Sequence, residues 1–109
     1  MTGVRNPMMI VNAQYQVVAA SQTGKILGTA GAKGDFIAGI LIIPAIAAAG
    51  IVTLLDGATS IPIFVGGGTT PLPTVAPFYV PLNMFSASGP WSITTGASVS
   101  CIATGSFSV

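Results

Sequence analysis

Histidine and glutamate are absent from this 109-residue chain, and cysteine occurs once, as Cys101. With Asp35 and Asp56 as its only side-chain carboxylates, the chain lacks most of the groups that carry protons, attack carbonyls or hold metals. A single cysteine excludes an intrachain disulfide and a thiolate cluster. In its apolar stretch it reads as a small core residue. Charge is scarce as well. Arg5, Lys25, Lys33, Asp35 and Asp56 amount to 5% of the residues, against about 25% in ordinary soluble domains. No charge follows Asp56, and the net charge of +1 leaves no basic footprint for nucleic acid or anionic lipid. A free monomer with so little surface charge is prone to self-association. Such a surface suits either partners or lipid.

What is present is apolar: 51% of the residues are hydrophobic. The longest such run, IAGILIIPAIAAAGIVTLL, spans Ile37 to Leu55. By length, Phe36–Leu55 qualifies as a membrane span, since about 18 to 20 apolar residues cross a bilayer. Its punctuation argues for strands. Phe36 to Ile43 is rich in β-branched isoleucine, which favours a pleated surface. Pro44 within a helix would cost roughly 3 kcal/mol. Asp56-Gly57 is a strong turn signal, because both residues tolerate positive φ. The pattern predicts two core strands in a hairpin-like pair, joined by the loop PAIAAAG. That loop is apolar though exposed by topology, which makes Ile46, Ala47, Ala48 and Ala49 candidate contacts to another subunit.

Alternation and turn residues order the rest of the chain. In AQYQVVAA, Tyr15 and Val17 share one face and Gln14 and Gln16 the other, as in a half-buried strand. Met8 to Val11 is too short an apolar run for a secretory leader. SIPIFV precedes a triple glycine, and TTPLPTVAP, residues 69–77, is a proline-stiffened loop. FYVPLNMF alternates, with Phe78, Val80, Leu82 and Met84 on one face and Tyr79, Pro81, Asn83 and Phe85 on the other. Pro81 cannot donate a ladder hydrogen bond, so that strand belongs at an edge or is bulged there. Its outward Tyr79 and Phe85 join the interface candidates. WSITT and SVSCIATGSFSV supply the last two strands. Short strands between glycine and proline turns predict an all-β antiparallel sandwich or barrel. Residues 1–34 read as an extended, glycine-rich N-terminal arm that reaches a neighbouring subunit, and 35–109 as the core. The second half of the chain is expected to supply most of that core, through Leu54, Ile61, Ile63, Phe64, Phe78, Val80, Leu82, Trp91, Ile93, Val99 and Ile102.

Few motifs invite chemistry. Asp35 and Asp56 form a conceivable carboxylate pair, yet each adjoins glycine in a turn, where aspartate caps backbone amides. TGK at Thr23–Lys25 and the triple glycine at Gly66–Gly68 lack the phosphate-loop spacing. Trp91 and Phe78 offer rings to a sugar or a base, but each lies in phase with the aliphatics of its strand, as core residues do. No catalytic, cofactor-binding or metal-binding residue is assigned.

The order of motifs from Gly31 onward resembles a family of small virion proteins encoded by tailed phages. GAKGDFIAGILIIP (31–44) matches its GxxGD and apolar strand. GIVTLLDGATSIPIFVGG (50–67) matches its V-x-L-x-DG strand and turn. PFYVPLNMFSASGPWSITTGASVSCIATGSFS (77–108) carries the Pro-Phe strand, the W-x-[IV]-T-T-G motif and the closing G-x-F. The resemblance implies a virion structural protein with a jelly-roll-like β-sandwich, of the kind that decorates or cements a capsid, without enzymatic activity or cofactor. It does not fix the place in the virion, and the capsid surface is expected because a nearly uncharged surface suits packed interfaces. In that position its expected partners are the major capsid protein and its own copies, as a trimer first and a dimer second, with neither nucleic acid nor membrane. The alternatives are a tail, connector or fibre module that binds carbohydrate, and a small membrane protein spanning with Phe36–Leu55.

Overall fold

The computed structural model describes residues 14–29, 31–66 and 75–108. They form eight strands: β1 (Gln14–Val18), β2 (Lys25–Ile26), β3 (Phe36–Pro44), β4 (Val52–Asp56), β5 (Thr59–Phe64), β6 (Phe78–Phe85), β7 (Trp91–Thr95) and β8 (Val99–Ser106). Sheet A has the order β1-β8-β3-β6 and sheet B the order β2-β7-β4-β5. All pairings are antiparallel. The pairs β1–β8, β2–β7, β3–β6 and β4–β5 follow one another as a single ribbon wound upon itself. That is the strand order of an eight-stranded jelly roll, and the predicted all-β sandwich is the fold.

Local chemistry explains the elements. β3 alternates outward and inward except at Gly39 and Ile40, which are both buried. There the register with both neighbours shifts between Ile37 and Gly39. This bulge restores the inward direction for Ile40 and Ile42 after Ile37. β6 lies at the edge of sheet A, and its pairing with β3 shifts beside Pro81. Asn83 takes φ 53° at that shift, so β6 is both at an edge and bulged, as its proline required. The β4–β5 hairpin turns on Gly57, whose φ of 61° lies in the left-handed region that favours glycine. Between the sheets lie Val18, Leu27, Ile37, Ile40, Ile42, Val52, Leu54, Trp91, Ile93, Val99, Cys101 and Ala103, all essentially inaccessible to solvent. Each fully buried aliphatic stabilises the fold by roughly 1.5–3 kcal/mol relative to an exposed one.

Five expectations are corrected. β3 and β4 are not a hairpin. Both hydrogen-bonding edges of β3 are occupied, by β8 and β6, so the chain crosses from sheet A to sheet B through residues 45–51. The crossing is fastened to the β7–β8 turn by Ala45 N–H to Ser98 O, Gly50 N–H to Ala97 O and Gly96 N–H to Ile51 O, at 2.7–2.8 Å. The core is not concentrated in the second half, because β3 contributes three isoleucines and the β1–β3 region adds Val18 and Leu27. Phe78, expected inside, is 39% exposed and closes the open side of the sandwich edge-on against Phe64, ring centroids 5.5 Å apart. Ile102, also expected inside, lies half-buried on the outer side of β8. The chain expected as an arm is part of the sandwich from Gln14 on, with β1 in sheet A and β2 in sheet B. Residues 1–13 of that arm, residues 67–68 of the triple glycine and residues 69–74 of the proline-stiffened loop lie outside the described residues.

Candidate interaction surface

The two sheets differ on their outer faces. None of the four strands of sheet A contains a charged residue. Across all four of them runs one outward row: Val17 opposite Ile102, Ile102 opposite Leu41, Leu41 opposite Tyr79. The adjacent row is Tyr15, Thr104, Gly39 and Pro81. At the far end Phe36 pairs with Phe85, ring centroids 5.0 Å apart and tilted by 53°. Phe85 is 70% exposed. On sheet B the outward rows mix hydroxyls with aliphatics: Ser60, Leu55, Ser92 and Ile26 in one, Pro62, Thr53 and Thr94 in the next, with no aromatic ring among them.

Gly39 makes the sheet A surface possible. The Tyr79 ring lies over it, and a Cβ at this position would overlap both the ring and the Val80 carbonyl. The Thr104 hydroxyl donates to Gly39 O at 3.2 Å, and the Tyr79 hydroxyl is 3.1 Å from Thr104 Oγ. With the threonine proton committed to the carbonyl, Tyr79 donates to Thr104. The ring is thus held at its hydroxyl end over Gly39, and a fixed aromatic loses little entropy when a partner covers it.

Of the predicted interface residues, Tyr79 and Phe85 lie on this face. Ile46 and Ala48 are exposed and Ala47 is half-buried at the crossover end. Ala49 is a correction: it is fully buried and belongs to the core, where the crossing passes over the end of the sandwich and packs its methyl against the buried residues. Exposed Ile51 belongs to that same crossing, and exposed Val65 directly precedes Gly66, which approaches the Ala49 and Gly50 carbonyls. Neither was singled out from the sequence, since each falls within a strand-like run.

β1 alternates as expected, and it is the face of Tyr15 and Val17 that turns outward. Tyr15 and Val17 point to solvent, 73% and 57% exposed, while Gln14 and Gln16 lie half-buried beneath them. The glutamines satisfy backbone at the edge of the sandwich. Gln16 donates to Ile26 O at 2.9 Å and accepts from Gly28 N–H at 2.7 Å, and Gln14 accepts from Phe107 N–H at 2.7 Å. An open cleft of about 670 Å³ beside them is lined by Tyr15, Gln22, Thr23, Lys25 and Thr29 among others.

The aspartates are structural, 35 and 56 each gathering a loop. The buried Asp56 carboxylate accepts from Ser86 Oγ at 2.6 Å and from the amides of Ala87, Ser88 and Gly89. Burial alone would raise its pKa, but these hydrogen bonds to the charged form prevail and hold it down at about 2. Asp35 accepts from Ala32 N–H, Ser108 N–H and Ser108 Oγ, and its carbonyl accepts Trp91 Nε1–H at 2.8 Å. Trp91 therefore has its ring inside the core and its one polar group satisfied. Cys101 is buried on the inner face of β8, and burial pushes its thiol up to about 11, which leaves it unreactive. Among the described residues no three metal-ligating side chains converge, and no helix is long and apolar enough to cross a membrane. Phe36–Leu55 is β3, the crossing and most of β4.

No family model, curated protein or solved structure matches this chain.

Proposed function

We propose that this chain is a structural protein of a tailed-phage virion, bound to the outer surface of the head, where it stabilises the shell by contacts to the major capsid protein and to its own copies. The observation that carries this reading is the outer face of sheet A, an aromatic and aliphatic row across four strands without a charged residue. The core beneath it is already filled, so this apolar surface is surplus to folding. Contiguous exposed apolar surface on a small domain marks a contact site. A jelly roll is a recurrent scaffold for capsid components, although a fold by itself assigns no function. Weak apolar contacts suffice for a decoration protein because they are repeated many times on one particle.

The test is an image reconstruction of intact particles of the virus that encodes the chain. Density for the jelly roll on the capsid surface, with sheet A turned toward a neighbour, is the expected result. Absence of the chain from purified virions overturns the reading. A second reading, a carbohydrate-binding module of a tail or fibre, draws on the cleft beside Tyr15, where an aromatic ring meets amide and hydroxyl groups. Binding on a glycan array that disappears in Tyr15→Ala would favour it over the first.

A further inference from the structure

Three of the four strands that end a sheet are guarded against pairing with another chain. β6 carries Pro81 and a register shift, and β5 carries Pro62 and a register shift. β2 is two residues long and holds Lys25. These are the devices that blunt a sheet edge. β1 has none of them. Its five residues, QYQVV, pair with β8 without a shift and include neither proline nor charge. Among the described residues, no group other than β8 hydrogen-bonds the backbone of residues 14–18.

The sequence of β1 is also self-complementary about its centre. In an antiparallel pair of two β1 strands related by a twofold axis at Gln16, Tyr15 of each copy lies opposite Val17 of the other. An aromatic facing a β-branched residue is a favourable cross-strand pair. Both side chains point outward and are well exposed in the single chain. Pairing covers them and joins the outward rows of the two sheets into one apolar surface. We infer that β1 is a homodimerisation edge, and that two copies pair β1 to β1 about Gln16 to form a continuous eight-stranded sheet. The inference concerns the free protein and stands or falls independently of the capsid reading.

Sedimentation of the full chain over a wide concentration range tests it. The wild type is expected to sediment as a dimer. Tyr15→Lys/Val17→Lys sets like charges opposite each other twice and is expected to weaken association on the order of 100-fold. Tyr15→Lys/Val17→Glu turns the same positions into opposite-charge pairs and is expected to restore the dimer. Far-ultraviolet circular dichroism and Trp91 emission verify that each variant is folded. A wild type that stays monomeric, a trimer, an undiminished double-lysine dimer, or no rescue by Tyr15→Lys/Val17→Glu overturns the inference. Should the charged variants fail to fold, mixed Tyr15→Cys and Val17→Cys proteins decide the matter under mild oxidation. Bridges between 15 and 17 are expected in excess over 15–15 and 17–17, with buried Cys101 taking no part, and the absence of that excess overturns the inference.

Discussion

Asp56 closes the loop between β6 and β7 by accepting from one hydroxyl and three successive amides. Its folded pKa, about 2, lies below the ordinary range of an aspartate, so the unfolded chain binds the proton more readily. The resulting stability is fully present above about pH 5 and is lost as pH falls toward 2, on the order of 2 kcal/mol in all. Denaturant midpoints measured between pH 6 and pH 2.5 are expected to fall for the wild type and to fall less for Asp56→Asn. At neutral pH, Asp56→Asn itself is expected to cost about 1–3 kcal/mol, because its amide turns donors toward the donors of Ala87 to Gly89. Equal pH slopes for the two proteins would show that Asp56 is not the group responsible.

Gly39 is where two strands depend on one residue, since its missing side chain admits the Tyr79 ring from β6 onto β3. Gly39→Ala is expected to destabilise by about 1–3 kcal/mol. Part of that cost should vanish in a Tyr79→Ala background, because the ring is one of the two groups the new methyl meets. A double-mutant cycle reads the coupling, and strict additivity would show that the Val80 carbonyl alone sets the cost. At this scale the sequence was informative about the strands themselves. Isoleucine runs, Pro81 and Asp56-Gly57 marked β3, the bulged edge β6 and the β4–β5 turn. The partners were another matter. Alternation tells which side chains share a face but not which strand lies alongside, so β3 and β4, close in sequence, read as a hairpin although they belong to different sheets. β1 was legible only in part, for a different reason. Alternation separated Tyr15 and Val17 from Gln14 and Gln16 without saying which pair faces inward, and it is the glutamines at 14 and 16 whose two-sided amides satisfy Ile26, Gly28 and Phe107 at the rim. Within the candidate surface, Tyr79 and Phe85 were legible from the alternation of β6. Tyr15 and Val17 were not.

For the whole molecule, the contrast between the two sheet faces yields a prediction with its own control. Ile102 sits in the middle of the sheet A row, between Val17 and Leu41, while Thr53 occupies an outward position of sheet B, between Pro62 and Thr94. Either side chain can be replaced by lysine with the aliphatic stem lying on the sheet and the ammonium in water, so both variants are expected to fold. Once a partner covers the face, the ammonium of Ile102→Lys is buried without a counter-charge, at a cost of about 3–5 kcal/mol. If the proposed head function holds, binding to capsids that lack this protein is therefore expected to weaken more than 100-fold for Ile102→Lys and to stay near wild type for Thr53→Lys. Wild-type binding should also be nearly insensitive to sodium chloride, because there is no ion pair to screen, and should strengthen in sulfate, which favours apolar burial. If Thr53→Lys were the variant that lost binding, sheet B would be the docking face, and the apolar row of sheet A would need a different partner.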